Sequence, residues 1–196
     1  SIEDEIGSDD IDFNIQRLGL WIKYNQKSAI SEVDWKKLIV PKIPKLNKTI
    51  FAGIKFGKDG NNVALSVAVK TGDGKVFIEG IDCQSVRNGT AWIIDYLMNI
   101  KPKSIVIDGA NGQQLLADEL KKIKIKGIVL PTVKEVVLAN ASFEKGIFAA
   151  TICHNDQPSM TQAATNCEKR AIGSNGGFGY KAQKEGIEIA LLDSAV

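Results

Sequence analysis

Two carboxylates and one lysine stand where this chain could do chemistry. In KSIVIDGANGQQ, Asp108 follows an apolar run directly and precedes a helical pattern. A carboxylate at the carboxyl end of a buried strand faces the crevice of an open α/β sheet, and an Asp-Gly pair is equally at home in a turn. Glu188 lies between Ile187 and Ile189 and shares a helical face with Leu191, Leu192 and Ala195. A charge on an apolar face calls for a metal ion or a lysine, because an unpaired buried charge costs several kcal/mol. In the first turn of a helix it would instead be steadied by the helix dipole. The third residue is Lys55, in FAGIKFGKDGNN. Strand period two puts Phe51, Gly53 and Lys55 on the face opposite Ile50, Ala52, Ile54 and Phe56. An ammonium donates hydrogen bonds and does not ligate a metal unless deprotonated.

Carboxylates in such places suit hydrolysis of a phosphodiester by two metal ions. That chemistry needs three or four of them converging on ions about 4 Å apart. Asp108 and Glu188 supply two, and at the end of the first strand, where a third belongs, the chain offers Lys55.

The elements that position these residues are legible as apolar runs and their separators. Ile50 to Gly57, Val63 to Lys70 and Lys75 to Gly80 are separated by GKDGNN and TGDG, so an antiparallel meander is expected. Trp92 to Ile100 reads as a helix, Ser104 to Ile107 as a buried strand, Leu115 to Leu120 as a helix and Gly127 to Leu130 as a strand. Such alternation implies parallel pairing through right-handed crossovers. Val133 to Ala150 is expected to be helical, and a last helix is expected from about Ile187 to Val196. The expected class is α/β: three antiparallel strands, then parallel βαβ strands, the order of the ribonuclease-H-like fold, flanked by helices.

Upstream, Ile15, Leu18, Trp21 and Ile22 recur at helical spacing, and Ser31 with Glu32 and Asp34 behind it offers a helix cap. VPKIPKLNK reads as an extended connector. The expected division is a helical junction over 1–48 and a main domain over 49–196.

Composition narrows the class. With 196 residues, 44% of them hydrophobic, the chain can bury one good core. The net charge of +2 is nearly balanced, yet lysines gather in WKKLIVPKIPKLNK and KKIKIK, either as basic faces for phosphate or as solvated surface. Cys83, Cys153 and Cys167 form no CxxC pair and His154 is the single histidine, which excludes a zinc site and a disulfide framework. No stretch approaches the roughly 20 apolar residues of a membrane span, and the acidic SIEDEIGSDD is unlike a signal peptide, so a soluble, intracellular protein is expected. The start at serine suggests a processed product or a fragment. No GxxxxGK[ST] loop occurs.

The sequence resembles the nuclease domain of the large terminase subunit of tailed bacteriophages. FNIQRLGLWIKYNQKSAISEVDWKKL looks like the family's junction segment, FAGIKFGKDGNNVALSV like its first hairpin, and IVIDGANGQQLLADEL like its fourth strand and helix. ICHNDQPSMTQAATNCEKR resembles its histidine, asparagine and proline segment, and KEGIEIALLDSA its closing isoleucine-aspartate helix. The resemblance implies an endonuclease that uses two Mg²⁺ or Mn²⁺ ions to cut concatemeric double-stranded DNA in the host cytoplasm. It also implies a preceding ATPase domain, a small terminase subunit and a portal as partners. On this resemblance Asp108 matches the second metal aspartate and Glu188 the last, conservatively replaced.

Lys55 falls on the first metal position, and that is a departure. It could pair with Asp108 or Glu188 and take the place of one metal. Alternatively, Asp59 or Asp82 could supply the missing ligand, or the lysine could be an introduced change. A second class of function is a DNA-binding, motor-coupling module of the same fold that has lost cleavage. Its phosphate contacts would come from Lys121, Lys122, Lys124 and Lys126, with Lys181 and Lys184 near the glycine-rich SNGGFGYK. That stretch reads as a hairpin or loop over a DNA groove, or as a flexible surface connection. A sugar-kinase-like or actin-like ATPase would need a second copy of the fold, for which there is no room.

Overall fold

The computed structural model describes residues 27–196. Its centre is a six-stranded sheet, in chain order β1 (Leu46–Phe56), β2 (Asn62–Thr71), β3 (Val76–Ser85), β4 (Ser104–Asp108), β5 (Ile128–Val129) and β6 (Ile152–Cys153). Across the sheet the order is β5-β4-β1-β2-β3-β6. The first three strands pair antiparallel, while β4 joins β1, β5 joins β4 and β6 joins β3 in parallel. This is the expected ribonuclease-H-like arrangement, with β1 and β4 side by side where the chain reverses its direction of travel across the sheet.

The helices cover the two faces. Helices α2 (Ala91–Ile100) and α3 (Gln113–Lys122) pack Ile93, Leu97, Leu116 and Leu120 against Ile54, Leu65, Ile105 and Ile107. On the other face lie α1 (Glu32–Lys36), α4 (Val133–Phe148), α5 (Pro158–Thr165) and α6 (Ala190–Ala195). Their core gathers Trp35, Phe143, Ile147, Met160, Leu191 and Leu192 over Ala64 and Ile78. A separate hairpin, β7 (Cys167–Ile172) and β8 (Gly177–Ala182), buries Tyr180 in that second core.

Local signals explain most boundaries. Ser31 caps α1 by accepting from the Asp34 N–H at 3.0 Å. Thr132 and Glu135 form a reciprocal capping box at the start of α4. Pro158 opens α5, where its missing N–H costs nothing. The upstream helix expected around Ile15 to Ile22 lies outside the described residues. From Ser28 onward the chain joins the main core: Trp35 is fully buried, stacks on His154 at 4.1 Å between ring centroids and donates to Thr161 Oγ1 at 3.0 Å.

Two expectations differ from what is observed, and the glycine-rich stretch takes the hairpin form among its open readings. Strand β3 continues to Ser85, past the apolar run, because pairing with β2 carries it through Asp82 to Gln84. The glycine-rich stretch is part of a hairpin packed on α4, with Phe178 edge-on to Tyr180 and under Lys169. The last helix begins at Ala190, so Glu188 precedes it.

Candidate functional site: a carboxylate crevice held by a lysine

The crevice opens at the carboxyl ends of β1 and β4, a space of about 550 Å³ lined by Lys55, Asp108, Arg170, Lys181, Glu188 and Asp193 among others. A smaller apolar space of about 300 Å³, walled by Val106, Val129, Val136 and Ala139, adjoins it and shares Lys55, Asp108, Arg170 and Asp193.

Lys55 and Asp108 are placed by the sheet itself. They are direct partners in the parallel β1–β4 register, so their side chains leave the same face about 4.8 Å apart. The ammonium of Lys55 donates to Asp108 Oδ2 in an ion pair. Only 14% of the Lys55 side chain and 29% of the Asp108 side chain are exposed.

Glu188 has a different occupation. Its Oε1 accepts from the Ala190 N–H and its Oε2 from Asn62 Nδ2, both at 2.6 Å. It therefore caps the N-terminus of α6 and ties it to the start of β2. The carboxylate lines the crevice while remaining exposed.

The crevice-lining acid that sequence reasoning passed over is Asp193. It sits on α6, half-buried, and lines both spaces. Burial pushes its carboxyl up to about 7; Lys55 and Arg170 oppose the rise, and Asp108 and Glu188 add to it. All four charges are close enough for Asp193 to feel them. What brings it there is Gly53, one step along the Lys55 face of β1. A Cβ at Gly53 would stand 2.0 Å from the Ser194 carbonyl oxygen, so α6 lies directly on the strand. The hydroxyls of Ser66 and Ser194, 2.6 Å apart, both reach the Leu191 carbonyl oxygen and fix the helix from the neighbouring strand. The available sequence signal was Asp193 itself within the closing IEIALLDSA segment.

The other acids are used elsewhere. Asp59 lines the crevice from the β1–β2 turn and accepts from the Asn61 N–H at 3.0 Å and from Asn61 Nδ2 at 2.9 Å. Asp82 is on β3, bonded to the Cys83 N–H and Gln84 Nε2. His154 donates and accepts within the core, its Nε2 3.0 Å from the Trp35 carbonyl oxygen and its Nδ1 accepting from the Asp156 N–H. Burial, with Glu188 and Asp82 adding, pushes the Cys83 thiol up to about 12, which leaves it unreactive.

The basic residues divide into two groups. Lys121, Lys122, Lys124 and Lys126 are exposed, but α3 runs back from the Asp108 end of β4. Gly127, next to Lys126, accepts from the Ile105 N–H at the opposite end of that strand. This cluster is thus a strand length away from the crevice. Lys181 lines it and pairs with Glu168 at 2.8 Å, and Lys184 is exposed just beyond β8. Arg170 lines it too, using its Nε to donate to the Tyr180 carbonyl oxygen at 3.2 Å.

Taken as a donor set, these residues do not fit a pair of divalent ions. Asp108 is engaged by an ammonium and Glu188 by a helix end. Among the described residues no group of three or more His, Cys, Asp or Glu side chains is gathered closely enough to hold a metal ion. Nor is any described helix long and apolar enough to cross a membrane.

No protein-family model matches the sequence, and no curated protein matches it. Solved structures do. The HK97 bacteriophage large terminase is similar at a TM-score of 0.63 and 15% identity, over 86% of this chain and 43% of that one. The large terminase nuclease from thermophilic phage G20c, with bound magnesium, gives 0.58 and 16%, over 86% and 94% of the two chains. The nuclease domain of the large terminase subunit of bacterial virus Sf6, with manganese and β-thujaplicinol, gives 0.58 and 10%, over 85% and 96%. This chain spans less than half of the HK97 protein and nearly all of the two isolated nuclease domains. The chain therefore has the fold of the nuclease domain of phage large terminases.

Proposed function

We propose that this chain is the nuclease-type domain of a phage DNA-packaging terminase, that it meets double-stranded DNA beside a motor ATPase in the host cytoplasm, and that its cleavage is switched off at Lys55. The observation that carries this reading is the Lys55–Asp108 ion pair at the carboxyl ends of adjacent parallel strands. Solved terminase nucleases of the same fold contain magnesium or manganese, which supports a divalent-ion site in the fold. Here the ammonium stands beside one of its carboxylates. An acid at position 55 would face Asp108 and Asp193 and complete a group of three. Small-subunit and portal partners belong to the same proposal.

Supercoiled-plasmid cleavage tests it, with Mn²⁺ and with EDTA, for the chain as it stands, for Lys55→Asp, and for Lys55→Asp combined with Asp193→Ala. The expected result is nicking only by Lys55→Asp with Mn²⁺. Equal cleavage by the unaltered chain would show that Lys55 does not disable the site.

A further inference from the structure

The end of the sheet opposite the crevice gathers lysines with no acid among them. Two loops build it. The loop leaving α2 carries Lys101 and Lys103, and the loop leaving α3 carries Lys124 and Lys126, with Lys121 and Lys122 in the last turn of that helix. Strand pairing draws the loops together: the Lys103 N–H donates to the Ile50 carbonyl oxygen and the Ile105 N–H to that of Gly127, both at 2.8 Å. A Cβ at Gly127 would stand 2.4 Å from the Lys103 carbonyl oxygen, so the two loops meet backbone to backbone. All six lysines are exposed. The lysines of the described ion pairs are Lys36, Lys37, Lys55, Lys169 and Lys181, all elsewhere. The sequence has no acid between Asp95 and Asp108, between Glu119 and Glu135, or between Asp34 and Asp59, the stretch that contains β1. Of the acids that border the patch, Asp118 accepts from Gln114 Nε2 at 2.9 Å and Glu119 from Thr90 Oγ1 at 3.0 Å.

Two of these lysines occupy backbone conformations that favour glycine. Lys101, which closes α2, has φ 48° and ψ 62°, and Lys124 has φ 63°. Left-handed backbone strains a residue with a Cβ, and glycine is its usual occupant just past a helix. Glycine would serve the fold better at both places, and lysine keeps a charge there against the strain. The composition also bears on the partner. Protein interfaces are anchored by aromatic residues and arginine and are depleted in lysine. A phosphate backbone needs only point charges: a duplex carries one per about 1.7 Å of axis, so neighbouring lysines meet phosphates without reading sequence.

We propose that this lysine face holds a segment of duplex DNA by its phosphates, at a place separate from the crevice. The proposal rests on the DNA reading above and deepens it by adding a second contact. Lys103 lies at the start of β4 and Asp108 at its carboxyl end, about 16 Å apart along a strand. The phosphates held here are therefore not those that would lie against Lys55 and Asp108. The hold is independent of metal and of sequence, and it weakens with salt. Each phosphate contact releases a counterion, with a slope of about −0.9 per contact in the dependence of log K on log salt.

The test is fluorescence anisotropy of a labelled 20-base-pair duplex with the full chain in EDTA, across a sodium chloride series, with a thermal melt of every variant. Combining Lys101→Gly with Lys124→Gly removes two charges where glycine relieves strain. That double variant is expected to melt no lower than the unaltered chain, to bind about tenfold more weakly and to flatten the salt slope by about 1.8. Combining Lys103→Gln, Lys122→Gln and Lys126→Gln is expected to weaken binding further and to flatten the slope by about 2.7. Arginine at the same three positions is expected to bind as the unaltered chain does. A duplex that binds with unchanged affinity and slope in both sets overturns the lysine face and leaves a DNA-binding domain with its contacts elsewhere. A glycine variant that melts lower and binds as before shows that these lysines serve the fold, and overturns it too. If the unaltered chain binds no duplex, the face falls as a DNA contact. Labelled poly-glutamate, bound by the unaltered chain in place of the duplex and lost in the glycine variant, would then make the partner an acidic protein surface.

Discussion

Lys55 and Asp108 are register partners across the parallel β1–β4 pairing, and the ammonium of one is bonded to the carboxylate of the other. Adjacent parallel strands place such side chains on one face without help from a loop, so the pair is built into the sheet. With both side chains largely buried, removing one partner strands a charge in a poorly solvated place. Lys55→Met is expected to destabilise the chain by about 1–3 kcal/mol. Lys55→Asp, which sets two carboxylates side by side, is expected to cost more in EDTA and to regain stability on adding Mn²⁺. Thermal melts with and without Mn²⁺ check this, and a Lys55→Asp melt indifferent to Mn²⁺ would count against a latent ion site.

Gly53 is the contact point of α6 on β1. Because a methyl there would meet the Ser194 backbone carbonyl at 2.0 Å rather than a flexible side chain, Gly53→Ala forces the helix away. A loss of about 2–4 kcal/mol is expected in urea unfolding, the upper range for overpacking. Gly74, at the tip of the β2–β3 turn, has open space around its Cβ position but a φ of 88°. There Gly74→Ala is expected to cost about 1 kcal/mol through backbone strain alone.

Asp193 gives the stability a defined pH dependence. Its carboxyl is raised from 3.8 to about 7 on folding, with burial the main cause, so between those values the folded chain holds a proton that the unfolded chain releases. The favourable contribution is complete below about pH 4 and is lost as the pH rises through about 7. Asp193→Asn is therefore expected to be more stable than the unaltered chain at pH 8, by on the order of 2 kcal/mol. The difference should shrink toward pH 5, and a gap that does not narrow would contradict the assigned burial.

Tyr180 is almost wholly buried and its hydroxyl has no hydrogen-bond partner among the described residues. A buried, unsatisfied hydroxyl costs about 1–3 kcal/mol, so Tyr180→Phe is expected to leave the hairpin in place and to raise the melting temperature. A lowered melting temperature would mean that the hydroxyl is satisfied in solution.

How much of this could be read along the chain follows from the range of the forces involved. The strands β1 to β4, the helices between them, the Ser31 cap and the place of Asp108 all follow from side-chain periodicity and turn chemistry within a few residues. They are legible for that reason. The hairpin of Cys167–Ile172 and Gly177–Ala182 was harder, because its glycines and charges carry no strong period and its stability comes from α4 beneath it.

The sequence by itself determined which residue types were available to the crevice: an aspartate closing β4, a lysine near the end of β1, and acids in the last segment. Only the tertiary structure decided their roles, since those depend on contacts between residues far apart in the chain. The β1–β4 register turned Lys55 and Asp108 into a pair. The close approach at Gly53, with the helix beginning at Ala190, made Glu188 a cap and carried Asp193 to the crevice. The return path of α3 took Lys121 to Lys126 to the far end of the sheet. Register and helix docking are set by the summed burial of a whole face, and a local run of residues does not contain that sum.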